Sequence, residues 1–287
     1  MKIITSKYLF IILFISFLGI NVVFAQKGEL CWAITGKDIR NPSYLYGTIH
    51  IVPKSEMKFG ASLKNLINQC DVLVLETDVK LPIGEQIRVA KLTFLPDGNT
   101  IKHYISDAEY NRYEKWMKDS MKLSDGDFKK HLRFKPFFSY SLLLTQKLGR
   151  IKSYDQEIYS YAMKKNLKFE KLESIEYQLA VIDSFSIKQQ FDMLSFGNVM
   201  DEYNQMLDVY NNGDIEAMYN QVVEGSQFSD IQKIMLDNRN NNWVPRIVNF
   251  ITLNPSFIAV GAAHLGGPKG LVAQLRKQGY TLTPVKI

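Results

Sequence analysis

Two short runs of almost entirely apolar residues, one near each end of the chain, place the strongest limit on its fold. They are residues 71–76, DVLVLE, and Ser256–Gly261, SFIAVG. An apolar run of this length is typical of a strand buried on both faces of a largely parallel sheet, with helices covering both faces. The first run also follows a helical pattern at 61–68. The sequence therefore predicts an α/β fold.

Further strands are predicted near both termini. Residues 29–34 and 44–50 are predicted to pair as a hairpin, and residues 280–285 form a last strand. The region between, about 84–254, has mainly helical patterns, including the Ser106-x-x-Glu109 capping box. We therefore expect one domain over residues 26–287. Its N- and C-terminal parts form a central mixed, largely parallel sheet, and the helical middle region flanks and caps it.

The N-terminus has the pattern of a secretory signal peptide. A basic start, MKIITSK, precedes an uncharged apolar run at 8–23 and the small residue Ala25. We predict cleavage after Ala25 and export to the periplasm or the medium. The alternative is an uncleaved anchor, but the run is short beside the roughly 20 apolar residues of a spanning helix. Gln26 stands where a lipid-modified chain has Cys, and no later segment is predicted to span a membrane.

Composition excludes some classes of function. The formal charge of +6 falls to +4 without Lys2 and Lys7, and the densest basic stretch, 129–135, is predicted to be a solvated helix face. No nucleic-acid partner is expected, because no known motif or basic stripe accompanies that stretch. His103 and His131 are predicted to lie on the surface. The two cysteines, Cys31 and Cys70, permit a disulfide in an exported protein, but the sequence leaves their pairing open.

A repeated pattern carries the candidate chemistry. Gly47-x-x-His50 and Gly261-x-x-His264 each follow an apolar strand, and Glu76 ends a third. Glycine lets another group approach the backbone closely, and ligands of open α/β sheets bind at the carboxyl ends of strands. Two imidazoles and one carboxylate suit a divalent transition metal. The alternative for any single Gly-x-x-His is a capped surface histidine or a core histidine that binds no metal.

Most of the mature chain, residues 26–287, resembles one family. The segments that carry the resemblance are PSYLYGTIH at 42–50, DVLVLE at 71–76, LES at 172–174 with Gln178, Arg239-Asn240, VGAAHL at 260–265, Gly270-Leu271 and Gly279-Tyr280. They are similar to motifs of the TraB/GumN family, which includes the Tiki metalloproteases. One departure lies at 153–155, where only Asp155 is kept from the family's Gly-Ile/Leu-Asp.

The resemblance implies a site and an activity. His50, His264 and Glu76 would serve a divalent metal, manganese or cobalt rather than zinc, in peptide hydrolysis. Arg239 would be catalytic, stabilising an oxyanion or holding a substrate carboxylate. Contacts to these residues or to substrate are expected from Glu173, Asn240, Gly47 and Gly261. The implied fold resembles that of erythromycin esterase and the ChaN-like proteins.

We therefore predict a metal-dependent hydrolase, most simply a peptidase acting on a peptide or protein. The alternative is an exported binding protein that holds haem, metal or peptide without turnover. The sequence leaves open whether Glu76 is a metal ligand or a general base, which substrate is used, and the oligomeric state.

Overall fold

The computed structural model of the chain describes residues 29–287, apart from Asp38, Ser195 and residues 225–229. The predicted signal peptide, residues 1–25, lies outside the described residues. Across the described ranges, no helix has both the length and the apolar character that crossing a membrane requires.

A six-stranded sheet forms the centre of the described chain, in the order β6-β4-β7-β2-β1-β8. Neighbours from β6 to β2 run parallel, whereas β1 is antiparallel to both of its neighbours. The predicted mixed, largely parallel sheet and its hairpin are therefore confirmed. A small second sheet pairs β3 with β5. The strands are β1 (Cys31–Thr35), β2 (Ser43–Thr48), β3 (Val52–Pro53), β4 (Val72–Leu75), β5 (Ile151–Lys152), β6 (Lys168–Lys171), β7 (Ser256–Gly261) and β8 (Thr281–Pro284).

Helices surround the sheet and fill the middle of the chain. They are α1 (Ala61–Ile67), α2 (Ile83–Leu92), α3 (Asp107–Asp119), α4 (Asp125–His131), α5 (Pro136–Leu148), α6 (Tyr154–Lys164), α7 (Ile175–Asp183), α8 (Ile187–Asp192), α9 (Val199–Asn211), α10 (Ile215–Glu224), α11 (Asn238–Leu253) and α12 (Leu271–Lys277). A π-helical turn, Lys233–Asp237, leads directly into α11.

Local sequence explains several helix starts. Ser106 begins α3 as predicted: its hydroxyl accepts a hydrogen bond from Glu109 N at 3.3 Å, and its own N–H donates to Glu109 Oε2 at 2.8 Å. This reciprocal pair of hydrogen bonds satisfies two backbone N–H groups that have no acceptor within the helix. Ser153, Ser174 and Ser186 cap α6, α7 and α8 through the same type of side-chain acceptor.

The two faces of the sheet carry separate apolar cores. Helices α1, α6 and α9 cover one face through residues such as Leu63, Ile158 and Leu207. Helices α11 and α12 cover the other, where Trp243 and Leu275 are fully buried. A third cluster joins α3, α4, α5 and α8 away from the sheet. The middle region is thus mainly helical, as expected, but only part of it is a cap, because α6, α9 and α11 pack on the sheet and β6 lies within it.

The basic stretch at 129–135 agrees only in part with its prediction, because Lys129, Lys130 and Arg133 are exposed. His131 and Lys135 are buried rather than solvated. His131 Nδ1 lies 3.0 Å from Ser139 Oγ, and Lys135 Nζ donates to Asp183 Oδ1 at 2.6 Å. His131 is buried because α5 packs against it, and Lys135 because it pairs with α7, which a charge pattern does not reveal. His103 is exposed, as predicted.

Both cysteines are buried and unbridged. Cys31 lies in β1 and Cys70 precedes β4, and each has a free thiol. Burial raises the pKa of each thiol to about 12, so both remain protonated at neutral pH. They act as small apolar residues of the core.

Candidate functional site

The predicted site residues meet at one edge of the sheet. Parallel register aligns Leu75 with Ala259 and Thr48 with Gly261, so the carboxyl ends of β4, β7 and β2 lie side by side. The backbone N–H of Gly261 donates to Glu76 Oε1 at 2.7 Å and joins two of these strand ends directly.

The two histidines and the glutamate surround a single point beside Gly261. A Cβ on Gly261 would lie 3.3 Å from Glu76 Oε1, 3.6 Å from His50 Nε2 and 3.7 Å from His264 Cδ2. Any larger residue there would crowd the site. Gly47 has a different role: a Cβ there would come within 3.0 Å of Ala262, so this glycine permits close packing behind the site.

Glu76 is buried and held from several sides. Arg239 Nη2 donates to its Oε2 at 2.6 Å, and Gln178 Nε2 donates to the same oxygen at 3.1 Å. Burial by itself would raise the pKa of Glu76, but the charge of Arg239 and the Gly261 N–H contribute to lowering it to about 2. Glu76 is therefore an ionised carboxylate, and both of its oxygens already accept hydrogen bonds.

Arg239 lies at the centre of the site. Its guanidinium binds Glu173 Oε1 through Nη2 at 2.8 Å and through Nε at 3.1 Å, in addition to Glu76. It also stacks against Trp243, whose indole N–H donates to Glu173 Oε2 at 2.8 Å. Burial raises the pKa of Glu173, although its bonds to Arg239 oppose that rise. One buried cation thus neutralises two buried carboxylates.

His264 is enclosed, with only 4% of its surface exposed. Its Nε2 lies 3.0 Å from Arg239 Nη1 and its Nδ1 lies 2.7 Å from Asn240 Oδ1. Because arginine only donates, Nε2 must accept, and Nδ1 then carries the proton that goes to Asn240. Burial, followed by the charge of Arg239, lowers the pKa of His264 to about 3. This histidine is neutral.

His50 lies at the open side of the site, with 63% of its side chain exposed. Its Nδ1 lies 3.0 Å from Asp155 Oδ2, and Thr48 Oγ1 donates to the other Asp155 oxygen at 3.3 Å. Partial burial of the ring lowers the pKa of His50, but the hydrogen bond and charge of Asp155 outweigh that effect and raise it to about 9. Asp155 therefore orients the ring with Nε2 toward the site.

Two contacts to the site were missed from the sequence. Asp155 lies in the first turn of α6, after its cap Ser153, and Gln178 lies in α7. Both positions belong to the segments that carry the family resemblance, yet neither was given a role. That resemblance was the available signal for them, since neither residue has a distinctive local pattern.

A small polar cleft opens beside these residues. Its volume is about 250 Å³, and its lining includes His50, Glu76, Thr77, Asp155 and Gln178. Thr77 Oγ1 is buried and has no hydrogen-bond partner among the described residues. The cleft therefore combines an ionised carboxylate, an accessible imidazole and an unpaired hydroxyl.

The donor set is incomplete for a metal in this arrangement. Within the described ranges, no three His, Cys, Asp or Glu side chains form a group placed to hold one ion. The reason is visible in the contacts of Arg239, which takes up the Nε2 lone pair of His264 and the Oε2 of Glu76. His50 Nε2 lies close to the point beside Gly261 and has no hydrogen-bond partner among the described residues.

Comparison with known proteins identifies a family but no individual relative. No curated protein and no solved structure is detectably similar to the chain. The family model described as TraB/PrgY/gumN family matches residues 30–284, nearly the whole of the described chain. The segments that carry the resemblance, including both Gly-x-x-His motifs, fall within that range. The chain therefore belongs to the TraB/PrgY/gumN family.

Proposed function

We propose that this chain is a divalent-metal-dependent hydrolase, most simply a peptidase, that acts at the edge of the sheet formed by β2, β4 and β7. One observation carries the proposal. His50 Nε2, Glu76 Oε1 and the ring of His264 surround one point beside Gly261. A neutral imidazole paired with a carboxylate or amide through Nδ1 is the usual arrangement of a histidine ligand.

The residues fit such an ion in their chemistry. Asp155 and Asn240 each hold the Nδ1 of one histidine, which leaves Nε2 for a ligand. His50 is the accessible donor and releases a proton when it binds the ion, because its pKa is raised to about 9. Glu76 is a buried donor, and His264 becomes a donor only where Arg239 releases it. Manganese or cobalt suits two imidazoles and one carboxylate, and zinc also binds such sets. When bound, the ion supplies an acidified water and polarises a substrate carbonyl.

The remaining residues act on the substrate and its surroundings. Glu76 serves as a metal ligand rather than as the general base, because both of its oxygens already accept hydrogen bonds from Gly261, Arg239 and Gln178. Arg239 positions Glu76 and His264 rather than binding a substrate oxygen, because all of its N–H groups are already donated to Glu76, Glu173, His264 and the carbonyl of Met235. Thr77 Oγ1 and the Gln178 amide offer hydrogen bonds to a peptide backbone in the cleft.

The binding-protein hypothesis is weaker for haem than for a metal ion or a peptide. Charged and polar side chains dominate the cleft, among them Asp78, Asp155 and Gln156. An apolar macrocycle would leave these groups buried without hydrogen bonds, which is unfavourable.

The test uses the purified chain after exhaustive chelation. We expect cleavage of a peptide library, read by mass spectrometry, only after Mn²⁺ or Co²⁺ is restored. His50→Ala should abolish both metal binding and cleavage. The matched control is His103→Ala, since His103 is exposed in a different part of the chain. Cleavage that persists without metal would refute the proposal, and metal binding with no cleavage of any peptide would favour the binding protein.

We also propose that the chain is exported and that cleavage occurs after Ala25. The basic start and the uncharged run at 8–23 support this. The intact mass of the protein recovered outside the cytoplasm should correspond to a chain that begins at Gln26. A mass that includes residues 1–25 would indicate an anchor instead.

A further inference from the structure

A second cavity lies within the helical layer, between α5, α7, α8, α9 and the π-helical turn. Its volume is about 320 Å³, within the range of small-molecule sites. Its lining is mostly apolar and includes Phe137, Ile182, Phe185, Met193, Leu194 and Met235. We call it the cap cavity. None of its described lining residues belongs to the polar cleft.

Two helical segments connect the cap cavity to the site. On α7, Ile182 lies one turn after Gln178, which binds Glu76. Met235, in the π-helical turn, lies four residues before Arg239, and its carbonyl accepts a hydrogen bond from Arg239 Nη1 at 3.2 Å. Four residues of helix span about 6 Å. Both walls of the cap cavity are therefore about one helical turn from groups that bind Glu76.

One polar atom in the cavity wall lacks a partner. Gln190 is only 3% exposed, and its Nε2 donates to the carbonyls of Ile182 and Phe185 at 3.2 and 3.1 Å. Its Oε1 is buried without a donor among the described residues. Buried polar atoms are almost always hydrogen-bonded, so this acceptor marks a position for an N–H or O–H group.

Charge further restricts the occupant. Glu202 lines the cavity and accepts a hydrogen bond from Tyr140, whereas neither lysine nor arginine occurs among the described lining residues. A carboxylate ligand such as a fatty acid would find no cation there. A neutral apolar group that carries an N–H donor satisfies both the apolar wall and Gln190 Oε1.

We propose that the cap cavity binds an apolar side chain of the peptide substrate and that a backbone N–H of the same peptide donates to Gln190 Oε1. This rests on the proposed function, since it assigns a preference to the same site. Gln178 and Arg239, each about one helical turn from the cavity wall, both bind Glu76, so the bound side chain lies near the groups of the site.

The first experiment measures binding in the absence of metal, so it does not depend on turnover. N-acetyl-leucinamide is titrated into the metal-free protein and followed by NMR, with N-acetyl-alaninamide for comparison. We expect the leucine probe to bind at least about tenfold more tightly, because each methylene in an apolar pocket contributes strongly. Ile182→Trp fills the cavity and should remove this preference, whereas Ile182→Ala should shift it toward N-acetyl-phenylalaninamide.

Ala180→Trp is the matched control, because Ala180 lies on the exposed side of the same helix. It should leave the leucine preference unchanged. Circular dichroism of each variant checks that it is folded, and Ile182→Ala provides the test if Ile182→Trp does not fold. Equal binding of leucine and alanine probes by the unaltered protein would overturn the inference.

The second experiment separates this inference from the proposed function. With metal restored, the cleavage sites in a peptide library should show a leucine or similar apolar residue at one fixed position relative to the cut, and Ile182→Trp should remove that preference. Leucine binding without any cleavage would contradict the hydrolase proposal as well as the assignment of this side chain to a substrate. Cleavage with no apolar preference would refute the role of the cap cavity and leave the hydrolase intact.

Discussion

The two Gly-x-x-His segments follow the same local plan, yet their histidines lie in opposite environments. His50 is mostly exposed and faces the carboxylate of Asp155, and its pKa is raised to about 9. His264 is enclosed between Asn240 and Arg239, and its pKa is lowered to about 3. A motif therefore sets where each histidine lies on the sheet, but its neighbours from other elements set its charge. The comparison assigns His50 to the open side of the site and His264 to its interior.

The largest expected effect comes from replacing Arg239, the buried cation in the interior of the site. Arg239→Met leaves Glu76 and Glu173 buried without a counter-charge, and the free energy of unfolding should fall by about 3–5 kcal/mol. Urea denaturation measures this. Arg246→Met is the matched control on the same helix, since Arg246 is exposed and donates only to a backbone carbonyl. Similar losses for the two variants would mean that the buried network does not stabilise the fold.

The next prediction compares the histidines directly. His264→Ala removes a ring that packs on Trp243 at 4.4 Å and leaves Asn240 and Arg239 without a partner, so unfolding should become easier by about 1–3 kcal/mol. His50→Ala removes an exposed pair with Asp155 and should change stability by less than about 1 kcal/mol. Thermal and urea unfolding of both variants test this order. The reverse order would show that the exposed histidine, rather than the enclosed one, supports the fold.

The third prediction concerns the effect of acid on stability through the enclosed His264. The pKa of His264 is about 3 in the folded chain, against about 6.5 for an unperturbed histidine in the unfolded one. Between these values the unfolded chain binds a proton that the folded chain does not, so stability falls as pH falls, by at most about 1.4 kcal/mol per pH unit. Burial also lowers the pKa of His131, which acts in the same direction.

Urea unfolding at pH 7 and pH 5.5 measures this slope above the range where most carboxylates titrate. His264→Ala should reduce the slope, and His131→Gln should reduce it further. An unchanged slope in both variants would mean that other groups cause the acid sensitivity.

The smallest effect concerns the open side. His50 has a raised pKa, so its stabilising contribution is complete below about pH 6.5 and is lost as pH rises through about 9. Because the ring is mostly exposed, solvent screening keeps this below about 1 kcal/mol. Asp155→Asn should lower the pKa of His50, because it removes the carboxylate that faces the ring, and NMR titration of the ring protons measures this.

Glu157→Gln is the control for that titration. It removes a carboxylate from the same helix, but this one pairs with Lys152 rather than with His50. An equal fall in the pKa of His50 in both variants would show that the general field of α6, and not the contact with Asp155, raises it.

The strands show how far local sequence carried the prediction. The apolar runs at 71–76 and Ser256–Gly261 became β4 and β7, and the hairpin and the last strand also formed within one or two residues of their expected bounds. A strand buried on both faces needs apolar side chains at every position, so its sequence is distinctive. The burial of His131 and Lys135 was missed because it depends on a neighbouring helix.

The candidate site also has a part that the sequence predicted and a part that depends on distant contacts. His50, Glu76 and His264 were predicted to lie together because each lies within three residues of the end of a strand, and parallel strands bring their carboxyl ends to one edge. The partners that set their charges come from far along the chain: Arg239 is 163 residues from Glu76, and Asp155 is 105 residues from His50. Spacing along a sequence contains no information about such contacts unless a family resemblance supplies it.

The sequence by itself determined that the chain forms a mixed, largely parallel sheet and which strand ends carry the candidate site. Apolar runs and turn residues contain this information because they act locally. Tertiary structure alone decided that the same motif yields one histidine with a pKa of about 9 and another with a pKa of about 3. Proton affinity depends on burial and on charges within a few ångströms, and both arise only when α6 and α11 pack around the edge of the sheet.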